Sequence, residues 1–325
     1  MSSKALTYFQ AGIESTRGTA VAADRKIYAL GGLPKEENNL FHVEQSRANW
    51  IKNQDAVSTH RGIPSWGLEL PAVAYDALPW WLHLCLQGNV SASGAGPYTW
   101  TFNDATTTDT LESATFEADD DAESWQIPFG MVNSWELSGK GGSGMTPVSA
   151  KFDLIAQKLS GGHTMTGSIS DVDYAGNYLA FKNADLYIDD TAGGIGTTKI
   201  SAALTEFSIK CANNLEPVWT GGSQYYSHVE RAERFIEFMA VLKFNATTLA
   251  EFKNKYQTDT ARYLQLAIPG SGNYDFDFTM HTVMKTYEFK DEGAERRVAI
   301  MGESIYDATL GYGGQIVVTN DSNSL

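Results

Sequence analysis

VNSWELSGKGGSGMTPVSAKFDLIAQ, Val132–Gln157, is two alternating runs joined by a glycine-rich turn. In the first, Trp135 and Leu137 fall on one face, with Ser134, Glu136 and Ser138 on the other. In the second, Val148, Ala150, Phe152 and Leu154 alternate with Ser149, Lys151, Asp153 and Ile155. Period-2 alternation marks a strand with one buried face. Gly139–Gly144 is a suitable hairpin connection between the two.

The same signal recurs on either side. WGLEL places Trp66, Leu68 and Leu70 opposite Glu69, and ALTEFSIKC places Phe207, Ile209 and Cys211 on one face. YTWTF, SATFEAD, FIEFMAVLKF, YDFDFTMHTVMKTYEFK and RRVAIMGESIYD add further strands. Two segments read as helix. AVAYDALPWWLHLCLQG has apolar residues near helical spacing and stops at Gly88, and Pro79 puts its start near that residue. NATTLAEFKNKYQTD has Asn245 as N-cap and Leu249, Phe252 and Tyr256 as its apolar stripe. The expected fold class is mostly β, with 30 glycines suiting many turns.

The order strand, long polar loop with aromatics, strand, helix, strands, closing hairpin occurs twice. Such a lag predicts a duplicated domain rather than a solenoid, divided into residues 1–175 and 176–325. The second half opens through YLAFKNADLYIDD and AGGIGTTK.

With 325 residues, 42% of them hydrophobic, the chain can bury a sizeable core. Its 24 basic and 39 acidic residues give a formal charge of −15, which disfavours an ordinary nucleic-acid-binding module. Two cysteines, Cys85 and Cys211, provide neither a disulfide framework nor a zinc site. The opening MSSKALTYFQAG lacks a signal-peptide core, and no apolar run approaches the ~18 residues of a membrane helix. The expectation is a soluble protein made in a cytoplasm, without membrane insertion.

Signatures of catalysis are missing: there is no G-x-S-x-G, H-E-x-x-H or Walker loop. GGIG at Gly193–Gly196 reads as a flexible connection, and the six histidines are scattered without ligand spacing. His83 reads as a satisfied core histidine, and Asp119–Asp121 as a solvated hairpin tip. The expectations are no enzyme, no cofactor and no metal.

Two other patterns carry more. Glu69, Glu117, Glu136, Asp153, Asp275, Asp277 and Glu288 all occupy the polar side of alternating runs. Charge there blunts strand edges, or lines a passage through which a polyanion moves without sticking. The second pattern is aromatic or apolar residues isolated in long polar loops: Trp50 and Ile51 in one, Trp219, Tyr225 and Tyr226 in the other. Such residues are anchors for a protein partner, or tuck back onto their own domain.

AGIESTRGTAVAADRKIYALGG, RGIPSWGLELPAVAYDALPWWLHLCLQG and VNSWELSGKGGSGMTPVSAKFDL, in that order over residues 8–157, resemble the motifs of long-tailed bacteriophage (siphophage-type) major tail tube proteins. Trp80–Trp81 departs from the family's smaller residues, and the second half matches only in element order. The resemblance implies a tail-tube-type β-sandwich with one flanking helix, whose sheets join neighbours into a barrel-forming ring. Rings stack into a hollow, acidic-lined tube for DNA delivery. The implied partners are other copies of the chain, other tail proteins, and tape measure protein and DNA transiently in the lumen. Two tube domains per chain favour a trimeric ring over a hexameric one. The implied location is the virion tail, after assembly in the host bacterial cytoplasm. On this reading the seven acids are lumen-facing, and the five loop residues make inter-ring contacts. The rivals are another ring-forming tail component (a terminator or distal tail protein), a carbohydrate-binding β-sandwich or adhesin, and a two-carboxylate hydrolase.

Overall fold

The computed structural model describes residues 7–42, 56–104, 111–120, 122–142, 146–169, 177–200, 203–292 and 295–325. The first half contains β1 (Tyr8–Ile13), β2 (Arg25–Ile27), β3 (Glu37–His42), β4 (Ala56–Leu70), α1 (Leu78–Cys85), β5 (Tyr98–Asn103), β6 (Ala114–Asp119), β7 (Ser124–Lys140), β8 (Ser149–Ala156) and β9 (Ser160–Gly161). The second contains β10 (Asp185–Asp189), β11 (Leu204–Ala212), β12 (Leu215–Val218), β13 (His228–Arg231), β14 (Phe235–Lys243), α2 (Ala246–Glu251), β15 (Arg262–Ala267), β16 (Asp275–Glu292), β17 (Glu295–Ser304) and β18 (Gly314–Asn320).

Sixteen strands form one branched antiparallel sheet, and β12–β13 is a separate hairpin. In the first half β2, β1, β6, β7, β8 and β4 pair in that order, with β9 beside the start of β7. In the second half β10, β15, β16, β17 and β14 do the same, with β18 beside the start of β16. Where β2 pairs β1, Lys199 bridges Tyr187 on β10. The long strands even share an irregularity. The register of β7 on β8 slips at Asn133, and that of β16 on β17 slips at Lys285. A one-residue bulge changes which side chains face inward, and here it falls at the same place in the two strand orders. The division expected at residue 175 falls in 170–176, outside the described residues.

The halves meet along β7 and β11, paired from Ser134↔Ala212 to Lys140↔Glu206. β5 pairs β18 in a second crossing between them. The apolar side of the sheet is continuous through this junction: Phe152, Trp135, Cys211 and Ile236 are successive cross-strand neighbours, all buried. Behind the bulge, Asn213 donates to the Val132 and Cys85 carbonyls at 2.8 and 3.0 Å. Arg234 donates to Asn213 Oδ1 at 2.7 Å and to the Leu86 carbonyl at 2.6 Å. These bonds satisfy buried carbonyls at the end of α1 and fasten it to the second half.

Every residue of α1 is buried, and Pro79 sits in its first turn, where no N–H is required. The Trp81 ring stacks on Phe152 at 4.0 Å, and Trp80 meets Phe116 edge-on. His83 accepts from the Val90 N–H at 3.0 Å, and burial holds its pKa down at about 4. α2 occupies the corresponding place after β14. Asn245 and Thr248 exchange hydrogen bonds across its first turn, a reciprocal cap.

Among the described residues, both long polar stretches contain paired strands: β3 pairs with the first part of β4, and β12 pairs with β13 across a connection at 219–227. β3, β12, β13 and the first part of β4 lack a uniform apolar face, so alternation could not announce them; the ladder is carried by backbone hydrogen bonds.

Candidate assembly surface

Strand register assembles one broad polar face. Glu69 on β4, Lys151 on β8, Glu136 on β7, Lys210 on β11, Glu237 on β14 and Glu303 on β17 are successive direct neighbours. Directly opposed residues share a face, so this is a row of charges crossing both halves. Each lysine lies between two glutamates. Ser208 Oγ donates to Glu136 at 2.9 Å, and Lys285, the bulge residue, forms an ion pair with Glu303. Four residues further along β7, Lys140 pairs with Glu206 at 3.1 Å.

Of the acids singled out from sequence, Glu69, Glu136, Asp153 and Glu288 lie on this face. Asp153 accepts from Ser65 Oγ at 2.6 Å, and Glu288 is exposed. Asp275 and Asp277 follow on the same side of β16. Burial, and then the neighbouring Asp275, push the Asp277 carboxyl up to about 6, while Gln265 donates to it at 2.8 Å. The face is therefore interleaved with lysine rather than uniformly acidic.

Glu117 does not belong to the open face. It lies on the polar side of β6 but is covered by the chain at His163–Thr166 and is 0% exposed. Its carboxylate accepts from the Thr166 N–H and hydroxyl, both at 2.8 Å, and from Gln10 at 2.5 Å, with His163 Nε2 at 3.1 Å. Burial alone would raise its pKa; these donors outweigh it and hold the group below its ordinary range.

Trp50 and Ile51 lie outside the described residues. Trp219, Tyr225 and Tyr226 sit in the β12–β13 hairpin, which leans on β4. The Trp219 indole donates to the Arg61 carbonyl at 3.4 Å, and its ring lies 5.3 Å from His60. Arg61 N–H donates to the Gln224 carbonyl at 2.8 Å, and Tyr225 is half-buried beside it. Tyr226 is corrected to a core residue. It is 1% exposed, donates to the Phe129 carbonyl at 2.9 Å, and packs with Leu215 and Val229 in a second apolar cluster. That cluster anchors a hairpin that would be marginal alone. A cleft of about 200 Å³, lined by Arg61, Ile63, Pro217 and Trp219 among others, opens between the two hairpins.

Sequence reading overlooked Glu14, in the stretch IESTRGT. Its carboxylate takes the Gly18 and Phe129 N–H groups and the Ser113 and Thr115 hydroxyls at 2.6–2.8 Å, fastening the turn after β1 to β6 and β7. Among the described residues, no group of three His, Cys, Asp or Glu is placed to hold a metal. Likewise among them, no helix is long and apolar enough to cross a membrane.

A broad antiparallel sheet crossed by one polar face defines a mostly-β protein. The chain matches the family described as phage tail tube protein over residues 5–315 and belongs to it. It is a structural protein of the bacteriophage virion tail, from a family that self-assembles and meets other tail proteins. Among curated proteins, none matches the chain.

Proposed function

We propose that the chain is the major tail tube subunit of a siphophage-type particle, carrying two tube domains, residues 1–175 and 176–325. Three copies close into a pseudo-sixfold ring, and rings stack into a hollow conduit for DNA, occupied by tape measure protein before ejection. The observation that carries this reading is the repeated strand order together with the β7·β11 junction. One chain already contains two wall segments joined edge to edge. The polar face is then the lining, where lysines held apart by carboxylates offer a polyanion no continuous cationic track. Trp219 and Tyr225, on the β12–β13 hairpin, then contact the next ring. Interfaces that close around a ring and stay open along its axis produce such a filament.

Negative-stain electron microscopy of the concentrated protein tests this. Hollow tubes are expected. Isolated rings would make it a terminator or distal tail component instead. Particles that remain monomeric at every concentration would end the proposal.

A further inference from the structure

The β7·β11 junction inside the chain has a counterpart with one partner missing. The bulges equate Asn133 with Lys285, so Ser134–Lys140 of β7 corresponds to Thr286–Glu292 of β16. On β7 that stretch lies between β8 and β11. On β16 it pairs with β17 on one side, and no strand flanks its other side among the described residues.

The counterpart of β11 is equally identifiable. Trp66 on β4 and Phe238 on β14 oppose Leu154 and Gly302, the residues facing the respective bulges. Glu69 therefore corresponds to Val241. Val241 opposes Glu206 at the start of β11, and Glu69 opposes Leu30, exchanging backbone hydrogen bonds at 2.7 and 2.8 Å. Leu30–Glu36 thus corresponds to Glu206–Ala212. Yet this segment runs irregularly beside β4. Pro34 has no N–H to give the ladder, and the Trp66 indole donates to the Gly32 carbonyl at 2.8 Å. Leu30 is 62% exposed at its start. The two-way bond with Glu69 fixes the alternation, assigning the N–H groups of Gly31, Leu33 and Lys35 to the outer side.

We propose that Thr286–Glu292 of one chain pairs antiparallel with Leu30–Glu36 of the next copy, in the register of β7 with β11. This rests on the ring reading above and names its joint. Leu33 then opposes Phe289 as Ile209 opposes Leu137, and Gly32 opposes Lys290 as Ser208 opposes Ser138. Pairing completes Leu30–Glu36 as a strand and covers the margin of β16, so the sheet runs unbroken from copy to copy.

Disulfide trapping reads the register directly. Gly32 and Lys290 would form a non-hydrogen-bonded pair, with Cα atoms about 4.5 Å apart, within the reach of a disulfide. A side chain at Gly32 meets nothing within 4 Å, Lys290 is exposed, and both native cysteines are buried. Oxidation of assembled Gly32→Cys/Lys290→Cys should give a reducible ladder of covalent oligomers ending at the number of chains in a ring. Leu30→Cys/Glu292→Cys, on the same ladder, should do likewise. The offset pair Gly32→Cys/Glu288→Cys should crosslink about tenfold less, because diagonal Cα atoms lie beyond disulfide reach. Tubes in which neither in-register pair crosslinks would overturn this joint and leave the tube reading standing. A protein that never assembles would overturn both.

Discussion

Reversing the charge at Glu136 should weaken the fold as well as alter a lining. Glu136 lies between Lys151 and Lys210 in the sheet and accepts a hydrogen bond from Ser208 at 2.9 Å. Glu136→Lys would convert two opposed attractive pairs into two repulsive ones, each attraction being worth about 0.2–1 kcal/mol. It would also leave the Ser208 hydroxyl without its acceptor, costing about 1 kcal/mol more. The face is half-open to solvent, so the lower part of each range applies, and the sum is about 2 kcal/mol. Glu136→Gln keeps an acceptor and loses only the attractions, at about 0.5–1 kcal/mol. Urea unfolding of the dispersed chain at low salt reads these differences. The exchanged pair Glu136→Lys/Lys151→Glu should be no more stable than Glu136→Lys alone, because the carboxylate placed at 151 then faces Glu69, and added salt should shrink every effect. A Glu136→Lys protein as stable as the parent at low salt, or a double variant that recovers the parent's stability, would mean that the row is a geometric coincidence without energetic weight.

Trp81→Ala, removing the ring stacked on Phe152 at the centre of the core, should cost about 3–5 kcal/mol, measured by denaturant unfolding. Asp277 should penalise the fold as pH rises. Its folded pKa of about 6 exceeds its ordinary value of 3.8, so the native state is unburdened below pH 4 and carries the cost of a buried charge above pH 6. Asp277→Asn should therefore stabilise the protein by about 1 kcal/mol at pH 8, after allowance for solvent screening, and by nothing at pH 3.5, as thermal melts at the two pH values will report. Trp219→Ala should lower monomer stability by about 1 kcal/mol, since the ring is only partly covered. On the inter-ring reading it should also shorten tubes in micrographs; unchanged lengths would confine Trp219 to packing between hairpins.

What sequence could disclose followed from locality. Trp135, Leu137, Phe152, Phe207 and Ile209 alternate with polar residues because their strands have one dry face, and a period of two is visible within a few residues. Pro79 marked the start of α1 for an equally local reason. The β3–β4 and β12–β13 pairings escaped because β3, β12, β13 and the first part of β4 carry no uniform apolar stripe. Glu117 was read as exposed because its strand alternates correctly; only the fold brings His163 and Thr166 over it. The lysines at 151 and 210 were visible, but their placement between Glu69, Glu136 and Glu237 depends on a register joining residues far apart in sequence. Tyr226 shows the same limit, since an aromatic in a polar stretch does not reveal whether Phe129 waits beneath it.

On the two-domain reading, placing two wall segments in one chain changes the energetics of the ring. A joint between separate chains must offset the loss of translational and rotational freedom, a cost of at least several kcal/mol. A joint within a chain forms at the high effective concentration set by the connection. β7·β11 is therefore released from that demand, and contacts within the chain fasten it: the Asn213–Arg234 bonds to the end of α1 and the Lys140–Glu206 pair. Once the two joints had different tasks, no pressure remained to keep their residues alike. This accounts for halves that share strand order and bulge position while β7 reads Ser-Trp-Glu-Leu-Ser where β16 reads Thr-Tyr-Glu-Phe-Lys. It also locates the weakness of the assembly. Dilution should part the ring only at the joints between chains, releasing pairs of wall segments and never single ones, because each β7·β11 junction survives as part of the folded monomer.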